Sequence, residues 1–267
     1  MNESIIRTLS GIIYIALLVT ATLFSEISFI ALFGIFMFIA VNEFCNLINL
    51  NKLQALLIAA LFMAFAIFGQ NSFFNNMLLN AAALFVAVLL LYDLFKKGAS
   101  GQKDKAAKIV LLTGYVIIPF VLLIKYPLLD GFRPFLIIGA FILIWINDTF
   151  AYIVGKTMGR TKLLERISPK KTVEGFLGGL VFTVIGSYIL SRFYDFQPAS
   201  IWIITGIILV IFGTLGDLVE SKFKRTAGVK DSGSIMPGHG GILDRLDSII
   251  FAIPFLFVFH QILNYVL

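Results

Sequence analysis

The segment from Ser221 to Asp247 holds a dense group of residues that could do chemistry. Asp244 and Asp247 lie three residues apart, just before an apolar run, which places both on one face of a helix. Carboxylates that close repel each other unless a cation or a proton lies between them. With Asp217 they form an oxygen-only ligand set that suits Mg²⁺, so the segment predicts a magnesium site.

The same segment carries cations that could neutralise phosphate groups: Lys224, Arg225, Lys230 and Arg245. Cations and carboxylates around a metal are what phosphoryl or nucleotidyl transfer requires, since that chemistry depends on positioning and charge stabilisation. His239 lies in a glycine-rich run, far from His260 and from any cysteine, which argues against a zinc site. We expect His239 to form a hydrogen bond within its glycine-rich turn or to contact a phosphate group.

A second charged loop runs from Ser168 to Gly175 with the sequence SPKKTVEG. Thr172 could simply cap the next helix, and Glu174 could complement the positive end of its dipole. Lys170 and Lys171 beside a helix N-terminus also favour phosphate binding. Neither of the two soluble nucleotide-binding glycine motifs is present.

Four acidic residues lie inside apolar runs, where a charge is costly and therefore a candidate for function: Glu43, Asp93, Asp148 and Asp217. Asp93 is followed by Lys96 and Lys97, which is typical of a charge at the end of a helix. Glu43 could form polar contacts that hold helices together, or it could be part of a site. Asp148 is predicted about 9 Å inside a helix that ends near Val154.

The elements that position these residues must be membrane helices. Hydrophobic residues make up 59% of the 267 positions, charged residues 13%, and a soluble domain could not bury that much apolar surface. A spanning helix needs roughly 20 apolar residues. Nine predicted spans follow: Leu9 to Phe24, Ile27 to Leu47, Leu53 to Phe68, Met77 to Leu94, Ala106 to Leu123, Pro134 to Val154, Gly175 to Tyr194, Ile201 to Val219 and Ile249 to Leu267.

These spans predict an all-α, polytopic protein with two regions. Residues 1–130 would hold five spans, and residues 131–267 four spans with two catalytic loops. The uncharged run from Leu53 to Tyr92 is divided at the polar residues Gly69 to Ser72. The single cysteine, Cys45, is expected to be a buried, inert thiol that packs against its neighbours.

The distribution of basic residues predicts the orientation, because cytoplasmic loops retain Lys and Arg. With nine spans, 18 of the 21 Lys and Arg residues lie on the same side of the membrane as the N-terminus. The three on the opposite side are Lys125, Arg133 and Arg192. We therefore expect a cytoplasmic N-terminus and a site facing the cytoplasm. The net charge of +6 then needs no nucleic-acid partner.

The run from Ser221-Lys-Phe-Lys-Arg through Lys230-Asp231-Ser-Gly and Met236-Pro-Gly-His-Gly-Gly-Ile-Leu to Asp244-Arg-Leu-Asp247 resembles the signature of the phosphatidate cytidylyltransferases, also called CDP-diacylglycerol synthases. The Ser168 loop and the stretch from Asp148 to Gly159 resemble the same family, so the likeness covers roughly Asp148 to Asp247. Met236 stands where a branched aliphatic residue is more usual.

The resemblance implies transfer of CMP from CTP to phosphatidic acid, giving CDP-diacylglycerol and pyrophosphate at a bacterial inner membrane. It implies Mg²⁺, with K⁺ as a second ion, held by Asp148, Asp217, Asp244 and Asp247, and a homodimer. The implied catalytic residues are Asp217, Lys224, Arg225, Lys230, Asp231, Asp244 and Asp247. The implied substrate-binding residues are Asp148, Ser168, Lys170, Lys171, Thr172, Glu174, Ser221, His239, Gly240, Gly241 and Arg245.

Two other functions fit parts of the pattern. A membrane CTP-dependent lipid kinase would use similar charges but release CDP rather than pyrophosphate. A secondary transporter would also have many spans with buried acids, but it predicts paired inverted halves. Here the charged motifs crowd into one half and the sequence has no internal repeat.

Overall fold

The computed structural model describes residues 3–69, 72–96, 104–194 and 197–266, and these are almost entirely helical. Within them the helices are α1 (Glu3–Phe24), α2 (Glu26–Ile48), α3 (Lys52–Phe68), α4 (Phe73–Phe95), α5 (Lys105–Leu128), α6 (Pro134–Met158), α7 (Val173–Phe193), α8 (Ala199–Thr226) and α9 (Leu243–Val266). An antiparallel hairpin of β1 (Lys162–Leu164) and β2 (Ser168–Thr172) joins α6 to α7. The all-α class is confirmed, and the hairpin was not predicted.

Each predicted span corresponds to one of these helices. In the part of the chain that the structure describes, eight helices are long and apolar enough to cross a membrane, and α3 is shorter at 17 residues. At 1.5 Å per residue α3 reaches only about 25 Å, less than a hydrocarbon core of about 30 Å. The fold is that of a polytopic helical membrane protein. Five residues used in the predictions lie outside the described residues: Gln70, Asn71, Lys97, Lys103 and Leu267.

Several helix ends lie further out than predicted. Helix α1 begins at Glu3 rather than Leu9, α6 ends at Met158 rather than Val154, α8 ends at Thr226 rather than Val219, and α9 begins at Leu243 rather than Ile249. The predictions followed the apolar run, whereas backbone hydrogen bonding continues into the charged residues beyond it. Asp148 therefore lies about 15 Å from the end of its helix, not about 9 Å.

Short polar side chains cap four of the first helices. Ser25, Asn51, Ser72 and Asp104 each accept an amide N–H at the start of α2, α3, α4 and α5. Such caps satisfy backbone groups that a helix leaves without partners. Each of these four helices therefore begins with an amide that a side chain satisfies.

Helix α5 widens into a π-helical turn at Thr113–Ile117. This turn holds Tyr115, a fully packed side chain whose ring centroid lies 5.4 Å from that of Phe44 in α2, 5.6 Å from Phe223 in α8 and 6.5 Å from Phe251 in α9. Aromatic contacts of this kind add to the burial energy. Both regions of the chain therefore share one hydrophobic core, and the predicted division at residue 130 remains a prediction.

The last four helices bring the charged motifs together. Helix α6 packs along α7, α7 along α8, and α8 along α9. Consecutive helices run in opposite directions, so the C-terminal ends of α6 and α8 lie beside the N-terminal ends of α7 and α9. The hairpin and the loop at residues 227–242 cover the same end.

Two glycines of α8 test this packing. A Cβ on Gly216 would overlap Phe251 and the carbonyl of Asp247, whereas a Cβ on Gly213 would make ordinary contact with Ser248. We predict that Gly216→Ala destabilises the protein by about 1–3 kcal/mol because α8 and α9 are forced apart. Thermal unfolding in detergent should show a lower midpoint for Gly216→Ala and little change for Gly213→Ala. Equal midpoints would contradict this account of the packing.

Candidate active site

A cavity of about 530 Å³ lies between the hairpin, α6 and α8. Its polar lining includes four lysines, Lys156, Lys162, Lys170 and Lys171, together with Asn147, Asp148 and Asp217. The sequence predicted Lys170 and Lys171 as phosphate ligands, and both line the cavity. Lys156 and Lys162 were missed, because Lys156 lies near the end of α6 and Lys162 in β1, and only the fold brings the two to the same space.

The hairpin explains how Lys162 reaches this cavity. Lys162 in β1 pairs with Thr172 in β2, one residue from Lys171. No sequence motif marks that pairing, although the spacing of basic residues on both sides of a short turn is a weak signal. Ser168, at the start of β2, is not among the residues that line the cavity.

Thr172 and Glu174 hold the local backbone. The Thr172 hydroxyl oxygen accepts the N–H of Gly175 at 3.1 Å and so caps α7. The Glu174 carboxylate accepts the N–H groups of Arg160 and Thr161 at 3.0 Å each, which fixes the turn after α6. The capping interpretation is confirmed for Thr172, and substrate contact remains a prediction for both residues.

Asp217 joins the hairpin to α8. Its carboxylate lies 2.5 Å from the Lys171 Nζ and accepts the Ser221 hydroxyl at 3.2 Å. Both charged side chains are about a third exposed, so water reaches this pair. The structure therefore brings together three residues that the sequence placed in separate motifs.

Lys224 lies between two carboxylates. Its Nζ is 2.5 Å from an oxygen of Glu220 and 2.6 Å from Oδ1 of Asp244. Glu220 is fully buried and was missed by the sequence analysis, which ended its helix at Val219. An acid four residues before a lysine is the signal that could have found it, because the two share a helix face.

The second oxygen of Asp244 holds the glycine-rich loop. It accepts the N–H of Ser232 at 2.8 Å, the hydroxyl of Ser232 at 2.9 Å and the N–H of Gly241 at 2.7 Å. The neighbouring Gly240 adopts φ of +86°, a left-handed conformation that a glycine reaches easily. Asp244 thus anchors the loop to the first turn of α9.

The other predicted ligands form a separate group. Asp148, Asp217 and Asp247 interact electrostatically with one another and with Lys171. Asp148 is exposed to the cavity, and Asp247 is buried with one oxygen accepting the N–H of Ser248 at 2.7 Å. Among the described residues, no three acidic, histidine or cysteine side chains lie close enough to hold a metal by themselves. A site built of one or two carboxylates plus substrate phosphates, as is common for Mg²⁺, fits this arrangement.

A second cavity, of about 220 Å³, lies on the other side of Asp148. Asp148, Asp244, Arg245 and Asp247 line it together with residues of α1 and with His239. Because Asp148 lines both cavities, they adjoin at this carboxylate.

The backbone N–H of His239 donates to the carbonyl of Met236 at 2.9 Å, within its own turn as predicted, whereas its side chain faces α1. Its Nδ1 lies 2.7 Å from the Ser10 hydroxyl, which also lies 3.1 Å from the carbonyl of Pro237. Partial burial, with the Arg245 and Arg7 cations nearby, lowers the pKa of His239 below its usual value. The side-chain contact with α1 was not predicted.

Three predicted cations and one acid lie on the surface of this region. Arg225, Lys230, Asp231 and Arg245 are exposed, and none forms an ion pair with another described residue. Their roles as catalytic or substrate-binding residues remain predictions.

Comparison with known proteins gives a consistent result. A sequence model of the cytidylyltransferase family matches residues 5–263. The phosphatidate cytidylyltransferase of Staphylococcus saprophyticus is 39% identical over 259 residues, covering 94% of this chain and 96% of its own. Those of Staphylococcus haemolyticus and Staphylococcus aureus are 38% and 37% identical with the same coverage.

The pairing of Lys224 leads to a stability prediction. Lys224→Met should lower stability by about 3–5 kcal/mol, because it leaves Glu220 and Asp244 buried without their cation. Lys105→Met, which removes an exposed lysine at the start of α5, is the matched control and should change little. Thermal midpoints in detergent compare the two. A midpoint for Lys224→Met equal to that of the control would show that the pair contributes nothing.

Proposed function

The chain belongs to the cytidylyltransferase family, and we propose that it transfers the cytidylyl group of CTP to phosphatidate. The relatives named phosphatidate cytidylyltransferase support this transfer, whose products are CDP-diacylglycerol and pyrophosphate. The observation that carries the proposal is the pair of adjoining cavities, one lined by lysines and one continuous with an apolar groove. A polar nucleotide and a lipid could meet there at one charged centre.

The reaction needs no nucleophile from the protein. A phosphate oxygen of phosphatidate attacks the α-phosphorus of CTP, a new P–O bond forms, and the bond to the pyrophosphate leaving group breaks. The work of the chain is to position two anionic substrates and to stabilise the charge that develops between them. Its lysines and arginines suit that task.

The lysine-lined cavity is the proposed site for CTP. Its four lysines match the negative charge of a triphosphate, and its volume of about 530 Å³ lies in the range of small-molecule sites. Lys171, already paired with Asp217, would link the phosphates to the carboxylate group. Lys170 is exposed and available to the substrate.

The second cavity is the proposed site for the phosphatidate headgroup. It shares Tyr14 and Met236 with a groove of about 440 Å³ along α1. Apolar residues dominate the lining of this groove, among them Leu9, Ile13 and Leu17. A groove of that kind suits an acyl chain, while Arg245 suits the phosphate.

Mg²⁺ is the proposed cofactor. Asp217 and Asp247, with Asp148 beside them, would hold it together with substrate phosphates. Asp244 accepts four hydrogen bonds from protein groups and fits an anchoring role better than a ligand role. Bound Mg²⁺ would neutralise charge on the leaving pyrophosphate. A second ion, K⁺, remains a prediction from the family resemblance.

The proposed location is a bacterial inner membrane, with the site facing the cytoplasm, where CTP is available. The excess of Lys and Arg on this side of the helices supports that orientation and a cytoplasmic N-terminus. A homodimer is retained as a proposal from the resemblance.

The test is release of pyrophosphate from CTP by purified protein in detergent. We expect release only when phosphatidate and Mg²⁺ are both present, loss of release with a chelator, and recovery when Mg²⁺ is added back. The lipid product should carry CMP. Formation of CDP with a lipid alcohol would indicate a kinase, and no turnover of CTP would contradict the proposal.

A variant tests the site proposed for CTP. Lys170→Ala should raise the KM for CTP about tenfold, which corresponds to about 1.4 kcal/mol of lost phosphate binding, and leave the KM for phosphatidate little changed. Lys105→Ala is the control for loss of an exposed lysine elsewhere. An unchanged kcat/KM for CTP in Lys170→Ala would remove this loop from the site.

A further inference from the structure

Glu43 is a buried carboxylate of α2 that contacts the glycine-rich loop and α9, about 200 residues away in sequence. Its Oε1 accepts the N–H of Ile242 at 3.1 Å, and its Oε2 accepts the N–H of Leu243 at 2.9 Å. The side chain is 4% exposed. The sequence left open whether Glu43 joins helices or belongs to a site.

Through these contacts Glu43 of α2 caps the N-terminus of α9, a helix remote from it in sequence. Helix α9 begins at Leu243, and the first amides of any helix have no partner within it. A carboxylate at this end also interacts favourably with the positive end of the helix dipole. Burial of a charge is costly unless hydrogen bonds compensate it, and here several donors do so.

A third donor connects Glu43 to Asp244. The Ser232 hydroxyl lies 3.3 Å from Oε2 of Glu43 and 2.9 Å from Oδ2 of Asp244. A hydroxyl has one hydrogen, so Ser232 bridges the two carboxylates and donates to only one at a time. A change at Glu43 therefore alters the hydrogen bonding of Asp244.

The loop is shaped to fit around this carboxylate. A Cβ on Gly233 or on Gly241 would overlap the carboxyl group of Glu43. Two glycines on opposite sides of the loop thus allow the backbone to approach the same side chain closely. General polar contact between helices would not require such a fit.

We propose that Glu43 is a positioning residue for the reaction. It fixes the first turn of α9, which carries Asp244, the partner of Lys224. The next turn carries Asp247, which interacts with Asp148 and Asp217. The inference rests on the proposed function, because positioning is measured through transfer from CTP.

Glu43→Gln is the main test, since it keeps the shape but turns one acceptor into a donor facing a backbone N–H. We expect kcat to fall about 10- to 100-fold, because small displacements of reacting groups have effects of that size. The KM for CTP should change less than about threefold, since the lysine-lined cavity is separate. Glu26→Gln, the same change at the exposed start of α2, should keep wild-type values.

Two further measurements separate positioning from general support of the fold. Hydrogen exchange should speed up at the amides of Ile242 and Leu243 in Glu43→Gln while α6 and α7 keep their protection. Ser232→Ala should also lower kcat. The kcat of the double variant should be no lower than that of the less active single variant, because both residues act through Asp244. Additive losses in the cycle would overturn the proposal.

Gly233→Ala is a second variant that leaves the charge of Glu43 in place and displaces its carboxyl group. If Glu43→Gln does not fold, Gly233→Ala should show the same loss of kcat. Wild-type kcat in whichever variant folds, or unchanged exchange at residues 242 and 243, would overturn the role of Glu43. A wild-type protein that releases no pyrophosphate would instead contradict the proposed function, and the exchange measurement would still test the cap.

Discussion

The ion pairs of Lys224 with Glu220 and Asp244 are the interaction on which the catalytic end of the molecule depends. Both carboxylates are largely removed from water, and a single ammonium group lies between them. Since one ammonium group is shared between two buried carboxyl groups, Asp244 needs further donors, which the loop supplies through Ser232 and Gly241. This requirement ties α8, the loop and α9 into one unit.

The charged residues that line the two cavities lie on either side of Asp148. On one side lies the cavity with four lysines, and on the other the smaller cavity that continues into the groove along α1. The ion pair of Lys171 with Asp217 lies on the lysine side, and Arg245 lies on the other. Two anionic groups could thus approach one carboxylate centre from opposite sides, as the proposed transfer requires.

The N-terminal helices do more than span a membrane. Ser10 of α1 contacts His239, Glu43 of α2 caps α9, and Asp93 of α4 pairs with Lys222 of α8 at 2.8 Å. Arg166 of the hairpin turn donates to the carbonyl of Leu94 at 2.7 Å. The site loops therefore rest on helices that lie outside the motifs that first suggested the family.

The sequence alone determined the helical class, the approximate spans and the motifs, because apolar runs and local spacing depend only on neighbouring residues. It singled out Lys170, Lys171, Asp148 and Asp217 as candidates in separate motifs, and the structure places all four at one cavity. Only the tertiary structure decided that Lys162 joins them, that Glu220 shares Lys224, and that Asp244 anchors a loop. Such contacts join residues far apart in sequence, and the energy of a buried charge depends on which donors the fold brings to it.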